Sequence, residues 1–93
     1  MKTLIVNIKV DSINRENFII HTFLMVANTL LEQGCVSYNV FTNERDNCEF
    51  TFIEVFENNE AFEFHKTTEH FKTWKELTHD MICSKDVKFI KKL

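Results

Sequence analysis

An α+β domain of ferredoxin-like topology, βαββαβ with an antiparallel sheet, is the fold that this sequence predicts. Three observations carry it. Apolar residues alternate over residues 2 to 10 and again on both sides of a polar stretch, Asn43 to Asn47, as they do in strands. Between these segments, from about Asn14 to Gln33, the apolar spacing is helical. After the second alternating pair come two short helical stretches and a last alternating segment. That order suggests a four-stranded sheet with its helices on one face.

Each element has its own signal. In the first strand Leu4, Val6, Ile8 and Val10 share one face, and Asn7 leaves the sheet on the other. Along the long helix Ile19, Ile20, Phe23, Leu24, Val26, Ala27, Leu30 and Leu31 form an apolar arc, opposite Asn17, His21, Asn28 and Glu32. Gly34, the chain's one glycine, follows and is expected to end the helix with a positive φ. Cys35 to Thr42 and Cys48 to Glu57 read as a hairpin around Asn43-Glu44-Arg45-Asp46-Asn47. Asn58 or Asn59 caps a helix running through His65, and Thr67 or Thr68 caps a second with the stripe Phe71, Trp74, Leu77, Thr78 and Met81. Val87 and Phe89 alternate in a last strand over Asp86 to Lys92.

The second hairpin strand is apolar on both sides, with Ile53 and Val55 on one and Phe50, Phe52 and Phe56 on the other. Both faces of the sheet therefore need cover. Placing the Phe row with Ile5 and Phe41 on the face turned from the helices leaves an apolar patch that a second sheet would bury, so a homodimer is expected.

Composition narrows the function classes. The 93 residues, 44% hydrophobic, suit one domain over residues 1–93. Ten Phe and no Pro leave little room for linkers. A net charge of −3 gives no electrostatic reason to expect nucleic acid. No apolar run approaches the roughly 20 residues that span a bilayer, so no membrane role is expected. Cys35, Cys48 and Cys83 form an odd set without CxxC spacing, and no charged-then-apolar leader is visible. A reduced, cytoplasmic protein is the expectation.

Glu54 is the sharpest chemical anomaly. It shares parity with Phe50, Phe52 and Phe56, so its carboxylate points into an aromatic face, where desolvation raises its pKa unless a cation such as Lys9 or Arg45 holds it. His65 and His70 flank the helix break, and imidazoles titrate where a general base is useful. With Glu54 they satisfy the letter of a two-His-one-carboxylate iron site, but helical metal pairs sit at i,i+4 on one face. No metal is expected. Tyr38 and Trp74 carry polar atoms able to orient a planar ligand.

The block Glu32-Gln33-Gly34-Cys35-Val36-Ser37-Tyr38-Asn39-Val40, the strand Phe50 to Phe56, and Phe64-His65-Lys66-Thr67-Thr68-Glu69-His70-Phe71 together resemble the antibiotic biosynthesis monooxygenase (ABM) family. That family includes small quinol monooxygenases and an isomerase of a phosphorylated autoinducer. The resemblance implies a homodimeric α+β barrel and a pocket framed by the His65–His70 block. Glu69 stands where the family often has Pro, and an acidic residue suits a first helical turn. Haem-degrading relatives share an Asn on the first strand, matched by Asn7, but Lys75 occupies the place of their haem-ligating His. Haem breakdown is disfavoured.

The resulting expectation is a cofactor-independent monooxygenase, in which dioxygen oxidises a small phenolic, quinol or enolisable carbonyl compound. A substrate anion can donate an electron to dioxygen, so the protein needs a base, oxyanion donors and a dry pocket. His65, His70 and Glu54 are the catalytic candidates, and Asn7, Tyr38, Phe52, Phe71 and Trp74 the substrate-binding ones. The alternatives are an isomerase of a phosphorylated diketone, with Lys66, Thr67 and Thr68 on phosphate, and a non-catalytic small-molecule-binding dimer.

Overall fold

A computed structural model describes residues Met1–Leu93. Its elements are strands β1 (Lys2–Val10), β2 (Cys35–Thr42), β3 (Glu49–Phe56) and β4 (Ile82–Ile90), with helices α1 (Arg15–Thr29), α2 (Asn59–Thr67) and α3 (Glu69–Thr78). The sheet is antiparallel in the order β2-β3-β1-β4, and the helices cover one face. β4 begins at Ile82 rather than Asp86, because it pairs with β1 along its whole length, through Lys85, Lys88 and their exposed neighbours. Pairing, not alternation, sets that boundary. No helix is long and apolar enough to cross a membrane.

Register overturns the assignment of the Phe row. Leu4 lies opposite Glu54, Val6 opposite Phe52 and Ile8 opposite Phe50, and directly paired residues share a face. Phe50, Phe52, Glu54 and Phe56 therefore point with the aliphatic row into the core under the helices, where all are buried. Phe18 of α1 seals this layer, with its ring centroid 4.9 Å from that of Phe50 and 6.2 Å from Trp74. The open face carries Ile5, Ile53 and Val55, half-buried, with Asn7 and Phe41 exposed. The uncovered apolar surface is thus smaller than the Phe row would have made it.

The buried side of α1 also differs from its apolar arc. Phe18, Thr22, Met25 and Thr29 face inward, whereas Ile20, Phe23, Leu24, Leu30 and Leu31 are exposed. Burying threonine is possible because each hydroxyl is satisfied. Thr22 accepts from the Trp74 indole at 3.0 Å, and Thr29 donates to the Met25 carbonyl at 2.8 Å.

α1 ends at Thr29 rather than Gln33. Leu31 and Glu32 instead make tight turns, their amides donating to the carbonyls of Asn28 and Thr29. Gly34 does not have a positive φ, so conformational freedom is not what requires glycine. Space is. A Cβ built at Gly34 would lie 2.4 Å from the Ala61 Cβ on α2. Gly34→Ala is expected to cost about 1–3 kcal/mol through this overlap, and a Gly34→Ala/Ala61→Gly double-mutant cycle in urea unfolding should show coupling of more than ~1 kcal/mol.

Candidate functional site

Between the sheet and the α2–α3 layer lies a cavity of about 180 Å³. Tyr38 and Phe52 line it from the sheet, Phe71 and Trp74 from α3, and two ionisable groups, Glu54 and His65, reach into it. Residues of β3 alternate, so Glu54 necessarily shares this side with Phe52 and Phe56. Neither predicted cation meets it. Lys9 pairs with Asp46 at 3.1 Å and Arg45 is exposed in the turn. Burial pushes the Glu54 carboxyl up to about 7, while the Tyr38 phenol and then Lys85 pull the other way.

His65 occupies the last turn of α2 and is 1% exposed. The rings of Phe71, Phe56 and Tyr38 surround it at 4.7, 5.1 and 5.9 Å. Thr68 fixes the chain here. Its side chain accepts from the Phe71 amide at 3.3 Å to cap α3, and its hydroxyl donates to the His65 carbonyl at 2.7 Å, tying off α2. This break aims His65 inward and swings His70 to the outer side of the same layer.

Glu32 joins the two imidazoles. Its Oε2 lies 2.9 Å from His65 Nδ1 and 2.5 Å from His70 Nε2, and its side chain is only 5% exposed. A carboxylate accepts, so both facing ring nitrogens donate. His65 is then the Nδ1–H tautomer, and its Nε2, buried with no hydrogen-bond partner in the protein, keeps a free lone pair. Burial pulls the His65 pKa below its usual value, against the opposing pull of Glu32. The arrangement supplies a neutral, oriented base.

The predicted site residues divide into three groups. Glu54, His65, Tyr38, Phe52, Phe71 and Trp74 line the one cavity. His70 does not. It is 20% exposed and borders clefts on the outer side of Glu32, one shared with Phe64 and Glu69 and another with Leu24 and Leu77. Asn7 is on the opposite face of the sheet, exposed and accepting from the Thr51 hydroxyl at 2.7 Å. Period two places it there, away from Leu4 and Val6, so it is no ligand of this cavity. Thr67 and Thr68 donate to the Phe64 and His65 carbonyls and Lys66 pairs with Glu63 at 3.0 Å, so the residues expected on phosphate are engaged within the protein.

Sequence reasoning missed Glu32. A helical wheel extended to Gln33 put it on the polar side, but the helix has ended before it, and the turn at Leu31 redirects the side chain inward. The usable signal was its place at the head of the Glu32–Val40 block. Glu32, His65 and His70 each bring one donor atom to within 4.8 Å of the others and are the residues able to hold a cation. The carboxylate for such a set is Glu32, not Glu54. In the arrangement present, a cation would have to displace both imidazole protons that Glu32 accepts.

The fold has close counterparts. A Nitrosomonas europaea protein assigned by name to the antibiotic biosynthesis monooxygenases superimposes with a TM-score of 0.95 at 21% identity, over 100% of this chain and 99% of its own. A Pseudomonas aeruginosa protein does so with 0.93 at 25% identity, over 99% and 93% of the two chains. An uncharacterized protein of Synechocystis sp. is 31% identical over 77 residues, 83% of this chain and 52% of that one. The chain thus spans about half the length of this curated relative. The model of the family described as "Antibiotic biosynthesis monooxygenase" matches residues 1–77, which include β1 to β3, Glu32, Glu54, His65 and His70. By that match, over most of its length, the chain belongs to the antibiotic biosynthesis monooxygenase family.

Proposed function

We propose that the inner cavity catalyses oxidation of a small phenolic, quinol or enolisable carbonyl compound by dioxygen, without a bound cofactor. The observation that carries this reading is the unpartnered Nε2 of His65, a residue held by Glu32 through Nδ1 on the wall of an aromatic cavity that Glu54 also lines. A neutral imidazole there removes a proton from a C–H or O–H group of the substrate. Glu54, whose carboxyl titrates at about 7, donates a hydrogen bond to the developing oxyanion while it is protonated, and Tyr38 adds a second donor. The resonance-stabilised anion transfers one electron to dioxygen, and the resulting radical pair combines to a peroxide anion that takes back the proton held by the imidazolium. The carbon bearing the hydroperoxide keeps one hydrogen, and loss of water turns it into C=O, so one oxygen atom enters the product and the other leaves as water. Phe52, Phe71 and Trp74 keep bulk water from the anion.

Oxygen uptake by the purified protein, screened over quinols and enolisable ketones, tests the reading. Stoichiometric uptake with a carbonyl or quinone product supports it. Isomer formation without uptake would select the proton-transfer isomerase, which uses the same base, and saturable binding without turnover the binding module.

The reading includes a homodimer. Its support is the open sheet face, where Ile5 and Ile53 pair across β1 and β3 with Val55 beside them and the helices leave them uncovered. Ile53→Glu is expected to shift sedimentation from dimer to monomer while leaving the far-UV spectrum unchanged, because the side chain lies outside the helix-covered core. A wild-type monomer at micromolar concentration would exclude the dimer.

A further inference from the structure

Three lysines border the inner cavity, and they are not equivalent. Lys66 is paired with Glu63. Lys75 of α3 and Lys85 of β4 form no ion pair with any Asp or Glu. Both line the cavity, one from α3 and the other from β4, and both also line a neighbouring hollow with Thr78, His79 and Ile82. The chain carries a net charge of −3, so two unpaired cations at one opening are not a sample of a generally basic surface. Holding them together is unfavourable in the free protein. Burial, and next the charge of Lys75, pull the Lys85 ammonium below its usual pKa, and Glu54 on the cavity wall is the carboxylate that opposes this. An anion placed between the two ammonium groups would relieve that repulsion and gain from both.

We infer that Lys75 and Lys85 form an anion-recognition subsite at the mouth of the cavity, and that the natural ligand is a small planar compound bearing an anionic group, such as a carboxylate, beside its reactive ring or enolisable carbon. The inference rests on the reading of the cavity as the substrate site and narrows the substrate class. The dimensions agree with it. A cavity of about 180 Å³ holds a single substituted ring, whose apolar edge meets Phe52, Phe71 and Trp74 while its charge stays at the lysine-bordered mouth. His65 and Glu54 then face the ring rather than the charged group.

Trp74 is the only tryptophan in the chain and lines the cavity, so its fluorescence reports occupancy without turnover. Benzoate and benzamide are nearly identical in shape and differ in charge, and titrating each into the full-length protein at low salt isolates the charge. Benzoate is expected to bind about fivefold or more tightly than benzamide, the size of effect two partly exposed ion pairs supply, with the preference fading as salt is raised. Lys75→Gln/Lys85→Gln should abolish the preference by weakening benzoate alone, and Lys66→Gln should leave it intact. Equal affinities in the wild-type protein, or a preference that survives the double substitution, would overturn the subsite while leaving the cavity reading in place. No response to either compound would overturn both.

Discussion

Replacing His65 with Gln is expected to lower kcat by ~10²–10⁴-fold on whichever substrate the oxygen-uptake screen identifies, the range lost when a positioned general base is removed. Glu32→Gln should lower it less, by about tenfold or more, because the amide neither holds the Nδ1–H tautomer as firmly nor favours the imidazolium formed after proton transfer. The pH profile separates chemistry from mere packing. In the proposed mechanism His65 acts neutral, so the rate should rise with pH through its pKa, which burial holds below the usual 6.5. Glu54 is there the protonated donor, so the rate should fall again as pH rises through about 7. Stopped or continuous oxygen-electrode assays from pH 5 to 9 should give a bell whose alkaline limb disappears in Glu54→Gln. A flat profile in the wild-type protein would remove both assignments.

Glu54→Gln is also expected to make the protein more stable at pH 8. The folded-state pKa of Glu54 is raised from 4.5 to about 7. A raised pKa means that the neutral carboxyl is the form the fold favours: its contribution is fully present below 4.5 and is lost as pH rises through 7. At ~1.4 kcal/mol per unit, wild-type protein forgoes up to about 3 kcal/mol across that window, and the amide, which cannot ionise, does not. His65 acts in the opposite sense. Its lowered pKa gives stability that is present above 6.5 and lost as pH falls, so it offsets part of the Glu54 effect on the acid side. Urea unfolding at pH 5 and pH 8 measures this: the substitution should be close to neutral at pH 5 and stabilising at pH 8. Destabilisation at both would mean that Glu54 is held ionised by groups on the cavity wall.

The succession of elements was legible because each left a local mark. β1 and β2 run where alternation placed them, and Asn58 and Thr68 cap α2 and α3 as their side-chain chemistry predicts. What alternation cannot show is which side of a strand faces the helices when both sides are apolar. β3 has Ile53 and Val55 on one side and phenylalanines on the other, and only the pairing of Leu4 with Glu54, residues fifty apart in sequence, decides between them. The same limit moved Asn7 out of the site. It also kept Ile20, Phe23, Leu24, Leu30 and Leu31 of the apolar arc from being recognised as outer surface, since two threonines in the true inner stripe read as polar until their hydrogen bonds are known. Within the site, the shared side of Glu54, Phe52 and Phe56 was readable from parity and the inward turn of His65 from the helix break, but not that the two meet under the helices. Glu32 was not, because its direction depends on a turn that no periodicity encodes.

The way Glu32 clasps both imidazoles has a bearing on how the molecule assembles. Its bonds to His65 and His70 close loops of 33 and 38 residues, whereas the β2–β3 hairpin closes across the short turn between Thr42 and Glu49. Loop closure costs entropy before the contact returns anything, so the hairpin can form early, while the clasp forms only when α2 and α3 have settled against the turn after α1. Conversely, a brief detachment of those two short helices releases both histidines in one event, strips His65 of its tautomer and opens the cavity to water, with the four strands still in place. The proposed site is therefore tied to the docking of the last two helices, and is gained or lost as a unit.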